Sequence, residues 1–354
     1  MTEKTYLITG VAGFIASRTA EFLLREGHHV LGVDTCNDYY DVRLKTNRLQ
    51  KLVRTADPQS QVLNELDPST ARVDRYMGPK RFESGRFQFV HLDIENKKAL
   101  SHLFSERKID AVVNLAARAG VRYSMEHPEV YMSTNAMGTL HLLEAMRTYG
   151  CPKLVLASTS SLYAGQPMPF KEDLPVNEPI SPYAASKKAA EMMAYTYSHL
   201  YDIDVSILRY FTVYGPAGRP DMATFRFIKW IDEGTPIQMY GDGSQTRDFT
   251  YVDDIAYGTI AALQPVGYEV INLGGGNRPI DLNELIAFIE NGLGKKANIN
   301  HLPFHKADLK ETSAEISKAE RLLSWKPVTP PEQGFQKTLD WYVSNRAWLK
   351  DVEV

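Results

Sequence analysis

The chain has 354 residues, of which 44% are hydrophobic and 23% charged, with a formal net charge of −3. That length suits one large α/β domain or two lobes, the composition is that of an ordinary soluble protein, and the charge implies no basic face for nucleic acid. Two cysteines, Cys36 and Cys151, make neither a disulfide framework nor a zinc site, so no metal is expected. The start "MTEKTYLITG" has no apolar segment of signal-peptide length, and no run approaches the ~20 apolar residues of a membrane span. A reducing cytoplasm is the expected compartment, with no membrane partner.

In chain order, "TYLITG", "HHVLGVD", "RFQFVHLD", "DAVVNLAA", "KLVLAS" and "DVSILRYF" are short Val/Ile/Leu-rich runs separated by helical patterns. Runs without polar alternation read as strands buried on both faces, and strand–helix alternation predicts a doubly wound parallel sheet. The stretch from about 51 to 86 is polar and weakly patterned, longer than usual α/β connections, and reads as an inserted loop or helical excursion. Beyond about Gly215, Gly/Pro turns and short helices suggest a smaller second lobe. The expected division is a nucleotide-binding domain over 1–215 and a substrate lobe over 216–354.

The first strand runs into Gly10, Gly13 and Ala16, a G-x-x-G-x-x-A turn that opens a helix. Small residues there let the backbone approach a pyrophosphate at a helix N-terminus, where free N–H groups and the dipole favour anions. Asp34 closes the second strand, where a carboxylate accepts the adenosine ribose hydroxyls and repels a 2′-phosphate, favouring NAD over NADP. The bland alternative is a tight β–α turn. Asp93 and Ile94, in "HLDIEN", would lie at an adenine edge; Asp93 reads equally well as a helix cap.

"SPYAASKKAAE" sets Tyr183 and Lys187 four residues apart, one above the other on a helix face. Ser181 and Pro182 suit its N-cap and first position. "VLASTSSLYAG" is a strand ending in Ser158, Thr159, Ser160 and Ser161. Ligands of open parallel sheets bind beyond the carboxyl ends of strands, so these hydroxyls can face Tyr183 and Lys187. A surface Tyr/Lys pair beside a serine turn is the alternative.

The glycine turn, "NLAA" at 114–117, the Thr/Ser strand end and Y-x-x-x-K occur in order, and the chain thereby resembles the extended short-chain dehydrogenase/reductase superfamily. "RDFTYVDDIA" and "NLGGG" look like its nucleotide-sugar epimerase and dehydratase branch. "NDYYDVRLK", "AGVRYSMEHPEVY", "MPFKED" and "RYFTVYGPAGRPDMATFRF" are similar to the UDP-glucuronate 4-epimerases. Val11 and Ala16 stand where the family usually has glycines, and Ala164 where glycine is common.

The resemblance implies a Rossmann-type fold with segments near 248–275 returning to the first domain, a homodimer paired through two helices, and a UDP-sugar substrate. It implies NAD contacts at Gly10, Gly13, Phe14, Ile15, Asp34, Asn37, Asp38, Lys45, Asp93, Ile94, Leu115, Ala116, Ala117, Asn135, Ser158, Tyr183, Lys187 and Tyr210. It implies substrate contacts at Arg122, Thr159, Ser160, Ser161, Thr212, Arg219, Gln238, Tyr240, Arg247 and Asp308. Tyr183 would be the base at the sugar C4 hydroxyl, with Lys187 and Thr159 beside it. A free phenol titrates near 10; one cation at 4 Å offers ~4 kcal/mol at an effective dielectric of ~20, so Lys187 and the nicotinamide charge together would suffice to bring it toward neutrality.

Related dehydratases carry an Asp–Glu pair, and decarboxylases commonly a Glu, where this chain has only hydroxyls at 159–161. For Arg219 a structural ion pair weighs as heavily as a substrate contact. The alternatives are a 4-epimerase of another UDP-sugar and a non-catalytic NAD-binding protein.

Overall fold

The computed structural model describes residues 3–67, 75–276, 279–304 and 309–354. Seven strands come first in the chain: β1 (Thr5–Thr9), β2 (His29–Asp34), β3 (Arg81–Ser84), β4 (Phe87–His91), β5 (Ala111–Asn114), β6 (Lys153–Thr159) and β7 (Asp204–Tyr210). With strand Tyr268–Leu273 they form one sheet, ordered Tyr268–Leu273, β7, β6, β5, β1, β2, β4, β3. All pairings are parallel except β3 with β4. The apolar runs became interior strands because both faces are covered: β6 is buried at every position.

Helices α1 (Phe14–Arg25) and α2 (Val42–Ala56), with helix Val252–Ala261, cover one face. α3 (Lys97–Glu106) and helices Gly138–Tyr149 and Pro182–Tyr201 cover the other. The chain winds from β1 through β2 to β4, then returns to β5 and continues outward through β6 and β7. The order therefore reverses between β1 and β5, the crevice where such sheets bind ligands. Thr9, Asp34, Asn114, Thr159 and Tyr210 all close strands on that edge.

The polar stretch 51–86 is not one loop. It begins as the last turns of α2, passes a short 3₁₀ turn at Gln61–Asn64, and ends as the antiparallel edge strand β3. Phe82 anchors that strand, its ring stacked 5.2 Å from Phe89. A separate core contains Tyr214, Phe225, Ile228, Leu285, Ile289, Phe335 and Leu339. It lies under helices Ala223–Glu233, Leu282–Leu293 and Pro331–Leu349.

Candidate active site

At the cofactor end, Gly10 has φ 68°, and a Cβ on it would sit 2.9 Å from the Cα and N of Ala116. The same addition at Gly13 would meet the Gly10 carbonyl at 2.7 Å. The Thr9 hydroxyl accepts the N–H groups of Leu115 and Ala116 at 3.1 and 3.0 Å, welding β1 to the loop after β5. α1 has Gly13 at its N-cap, which offers no side-chain cap and leaves the first N–H groups of the helix for an anion. Asp34 accepts from Ala12 N at 3.0 Å and Cys36 N at 2.7 Å. Lys45 donates to the Asn37 side chain at 2.9 Å, and Asp38 is exposed beside it.

Val11, a departure from the family pattern, is fully buried. Its methyl groups occupy the space where a Cβ on Gly32 would otherwise be, 2.7 and 2.8 Å from that position. A missing side chain on β2 thus makes room for the extra one in the turn.

Asp93 is exposed and accepts from Glu95 N at 2.9 Å, whereas Asn96 caps α3 by accepting from Ala99 N. Ile94 is buried beneath Gly138. Asn135 lies in a π-helical segment, Met132–Met137, a local widening frequent at functional sites. Its amide accepts from Arg118 N at 2.8 Å and donates to Ser186 Oγ at 2.9 Å. This ties the loop holding Ala117 to the helix of Tyr183.

At the reactive end, Ser181 caps helix Pro182–Tyr201 by accepting from Ala184 N at 3.2 Å, with Pro182 first in the helix. Lys187 is 4% exposed and donates to the Ala157 carbonyl at 3.0 Å. Burial pushes its ammonium down to about 8, opposed by the Glu191 carboxylate one turn on. Tyr183 is half-buried, with the Tyr131 ring edge-on at 6.0 Å. Burial raises its phenol above the ordinary value; hydrogen bonding by Thr159, then the Arg219 charge, works the other way.

Thr159 caps the 3₁₀ turn Ser160–Tyr163. Its hydroxyl accepts from Ser161 N and donates to Ser161 Oγ, each at 3.1 Å. Ser158 donates to Glu191 at 2.6 Å, and Glu191 is paired with Arg209 at 2.8 Å. Tyr210 is directed into the core, its hydroxyl 2.8 Å from Thr259.

Thr212 opens strand Thr212–Tyr214, which pairs in parallel with Phe249–Tyr251. Arg219 pairs with Asp221, donates to the Ala119 carbonyl at 3.2 Å and faces the Tyr39 ring at 5.6 Å. The ion pair weighed in the sequence is present, and the charge still reaches Tyr183. Arg122 stacks on Tyr240 at 3.8 Å. Gln238 is exposed on the same strand and accepts from Asn300 at 3.0 Å. Arg247 donates to the carbonyls of Thr246 and Lys310. Asp308 lies outside the described residues.

The structure therefore joins Tyr183, Thr159 and Arg219 in one cluster and Arg122 with Tyr240 in another, and turns the Tyr210 side chain away. Sequence reasoning missed Glu191, Arg209, Tyr39 and Tyr131. Glu191 had a signal, since it repeats the four-residue spacing of Tyr183 and Lys187 on one helix face.

A reversing parallel sheet, a glycine turn too tight for a side chain, and a helix that brings a phenol and an ammonium to a strand ending in a hydroxyl define a nucleotide-binding α/β protein equipped for acid–base chemistry. The chain belongs to the NAD dependent epimerase/dehydratase family, whose model matches residues 6–274. It is 54% identical over 349 residues to the UDP-glucuronate 4-epimerase of Thermodesulfobacterium geofontis, with 99% of each chain covered. The crystal structure of UDP-glucuronic acid 4-epimerase from Bacillus cereus with UDP-glucuronic acid and NAD superposes with a TM-score of 0.83. That pair is 36% identical over 96% of this chain and 99% of the other. The UDP-glucose 4-epimerase of Thermotoga maritima, solved with UDP-glucose, gives 0.79 at 26% identity, covering 97% and 99%.

Proposed function

We propose that this chain is an NAD-dependent UDP-glucuronate 4-epimerase, interconverting UDP-glucuronate and UDP-galacturonate through a 4-keto intermediate. The observation that carries the reading is Tyr183 against Thr159 at a strand end that offers hydroxyls and no carboxylate.

The residues present fit the cofactor. The side-chain-free turn at Gly10 and Gly13 and the uncapped start of α1 suit its diphosphate, Asp34 its adenosine ribose, and Lys187 its nicotinamide ribose. NAD bound there would supply a reversible hydride acceptor for the sugar C4. Tyr183 takes the proton of the C4 hydroxyl and gives it back, while Thr159 holds the C4 oxygen. The intermediate is a β-keto acid prone to lose CO₂. Thr159, Ser160, Ser161 and Thr212 supply hydroxyls to hold its carboxylate so that the C–C bond stays out of line with the ketone, and Arg219 supplies a charge to that carboxylate or to the UDP diphosphate.

Two statements belong to the same proposal. Helices Gly138–Tyr149 and Pro182–Tyr201 leave Tyr149, Met192, Tyr195, Leu200 and Tyr201 exposed, a surface suited to a homodimer and testable by light scattering. Two free buried cysteines suit a reducing cytoplasm, and no helix among the described residues is long and apolar enough to cross a membrane.

The test is incubation of the purified protein with UDP-glucuronate alone, followed by NMR of the sugar nucleotides. UDP-galacturonate is expected. A UDP-pentose product, or turnover confined to UDP-galactose or a UDP-N-acetylhexosamine, overturns the reading.

A further inference from the structure

Arg48, in α2, is 3% exposed, and among the described residues no carboxylate pairs with its guanidinium. Four neutral oxygens hold it instead. Nη1 donates to the Ala12 carbonyl at 3.0 Å and the Tyr40 hydroxyl at 2.6 Å. Nε and Nη2 donate to the Ala217 carbonyl at 3.1 and 2.7 Å, and Nη2 also reaches the Gly218 carbonyl at 3.2 Å. Burying a cation without an anion is expensive, so the arrangement calls for a return elsewhere.

The two groups of acceptors belong to different sites. Ala12 is the middle of the glycine turn, and its N–H is already held by Asp34; Arg48 holds the other side of the same residue. Ala217 sits two residues before Arg219 in a left-handed conformation, φ 55°, which is strained for a residue with a Cβ and persists only where surroundings enforce it. The bonds from Arg48 to its carbonyl are such an enforcement. A planar guanidinium can serve both sides at once, whereas an ammonium, a point donor on a flexible stem, cannot reproduce the fork.

We propose that Arg48 is a positioning residue that couples the two ligand sites, fixing the cofactor turn through Ala12 and the Arg219 loop through Ala217 and Gly218. Order imposed on one by its ligand then favours the other, and such coupling is reciprocal. The identities of the two ligands rest on the epimerase reading; the coupling itself does not require turnover.

The probe is UDP, which lacks the sugar and so cannot touch the nicotinamide through it. In the wild-type holoprotein, UDP should slow release of bound NAD by about tenfold, within the usual range of coupling between sites. In Arg48→Lys the same addition should change release less than twofold. In Arg48→Ala, millimolar guanidinium should restore the UDP effect. A merely structural arginine would lower the melting temperature and leave the UDP effect intact, and that result overturns the proposal.

Hydrogen–deuterium exchange on the wild type gives an arm independent of whether the variants fold. NAD should slow exchange at 216–220, and UDP should slow it at 10–14. Exchange at each segment that ignores the distant ligand also overturns the proposal. If both nucleotides bind independently, the coupling alone fails. If either does not bind at all, the assignment of both sites fails and this inference with it.

Discussion

The two ends of the cleft treat charge in opposite ways. At the cofactor end the buried Asp34 has each carboxylate oxygen on a backbone N–H, so its charge is provided for within the protein. At the reactive end Lys187 has one carbonyl for company and is pushed down to about 8, while Tyr183 is pushed up. Burial there favours the neutral form of both partners. One end is assembled around a charge; the other sets burial against charge on its acid–base pair. The sequence reading had Lys187 and the nicotinamide charge together bring the phenol toward neutrality. Among the protein's own groups burial wins, and those that oppose it at Tyr183 are Thr159 and then Arg219.

The largest effect that tests this contrast is chemical. Tyr183→Phe keeps the ring and removes the proton acceptor. Epimerisation should fall by ~10²–10⁴-fold, the usual contribution of a general base. Because the cofactor end is assembled separately, the variant should still release NAD on denaturation. Near-normal turnover, or loss of NAD together with activity, breaks the separation of the two ends.

A second effect concerns stability. Lys187 has a folded value of about 8 against an ordinary 10.5. Below pH 8 the lysine is charged in both states and the full cost of burying that charge is felt. Between pH 8 and 10.5 the unfolded chain holds the extra proton, so wild-type stability rises with pH. Lys187→Met removes the buried charge. It should melt higher than the wild type at pH 7, by on the order of 3 kcal/mol at ~1.36 kcal/mol per unit, with the gain shrinking from pH 8 to 10.5 and activity lost. A variant no more stable at pH 7 than the wild type would mean that the lysine is at ease in its site.

The cofactor end makes the opposite prediction, since its charge is provided for. Gly10→Ala forces a left-handed conformation on a residue with a Cβ and drives that Cβ into the Ala116 backbone. A loss of about 1–3 kcal/mol and a protein purified without NAD are expected, read by melting and by chromatography of released nucleotide. Retention of NAD at wild-type stoichiometry would show that the turn has slack.

How much of this was legible in the sequence follows from where the physics is local. The six apolar runs became strands because burial on both faces leaves a run of Val, Ile and Leu. Ser181 and Pro182 announced a helix start because a cap is a matter of adjacent residues. β3 was missed: Phe82 and Ser84 alternate with exposed neighbours over only four residues, too few to stand out from the polar stretch before them. Arg48 and Arg209 carry no local signal of what holds them. Only the fold shows that one is held by carbonyls from two loops and the other by Glu191. Likewise the exposed Asp93, the inward turn of Tyr210 and the pairing of Arg219 with Asp221 depend on which way a backbone faces.

Val11 is the sharpest case, because in the sequence it looked like a defect and the fold supplies its remedy on another strand. Its backbone N–H donates to the Val33 carbonyl at 3.1 Å, so its position is tied to β2, and its methyl groups fill the space above Gly32. Gly32→Ala would place a new carbon 2.7 Å from one Val11 methyl and 3.0 Å from the Phe87 ring. Overpacking of this kind costs about 1–3 kcal/mol, and because the strain falls on the turn it should also loosen NAD. Val11→Ala alone removes buried methyl groups and costs a cavity. Together the two changes exchange one volume for another, so the double variant should be less destabilised than the sum of the singles by about 1 kcal/mol, within the range for residues in contact. Melting temperatures of the four proteins measure the cycle. Additive effects would mean that Val11 and Gly32 are tolerated independently, and that the turn owes its shape to Gly10 and Gly13 alone.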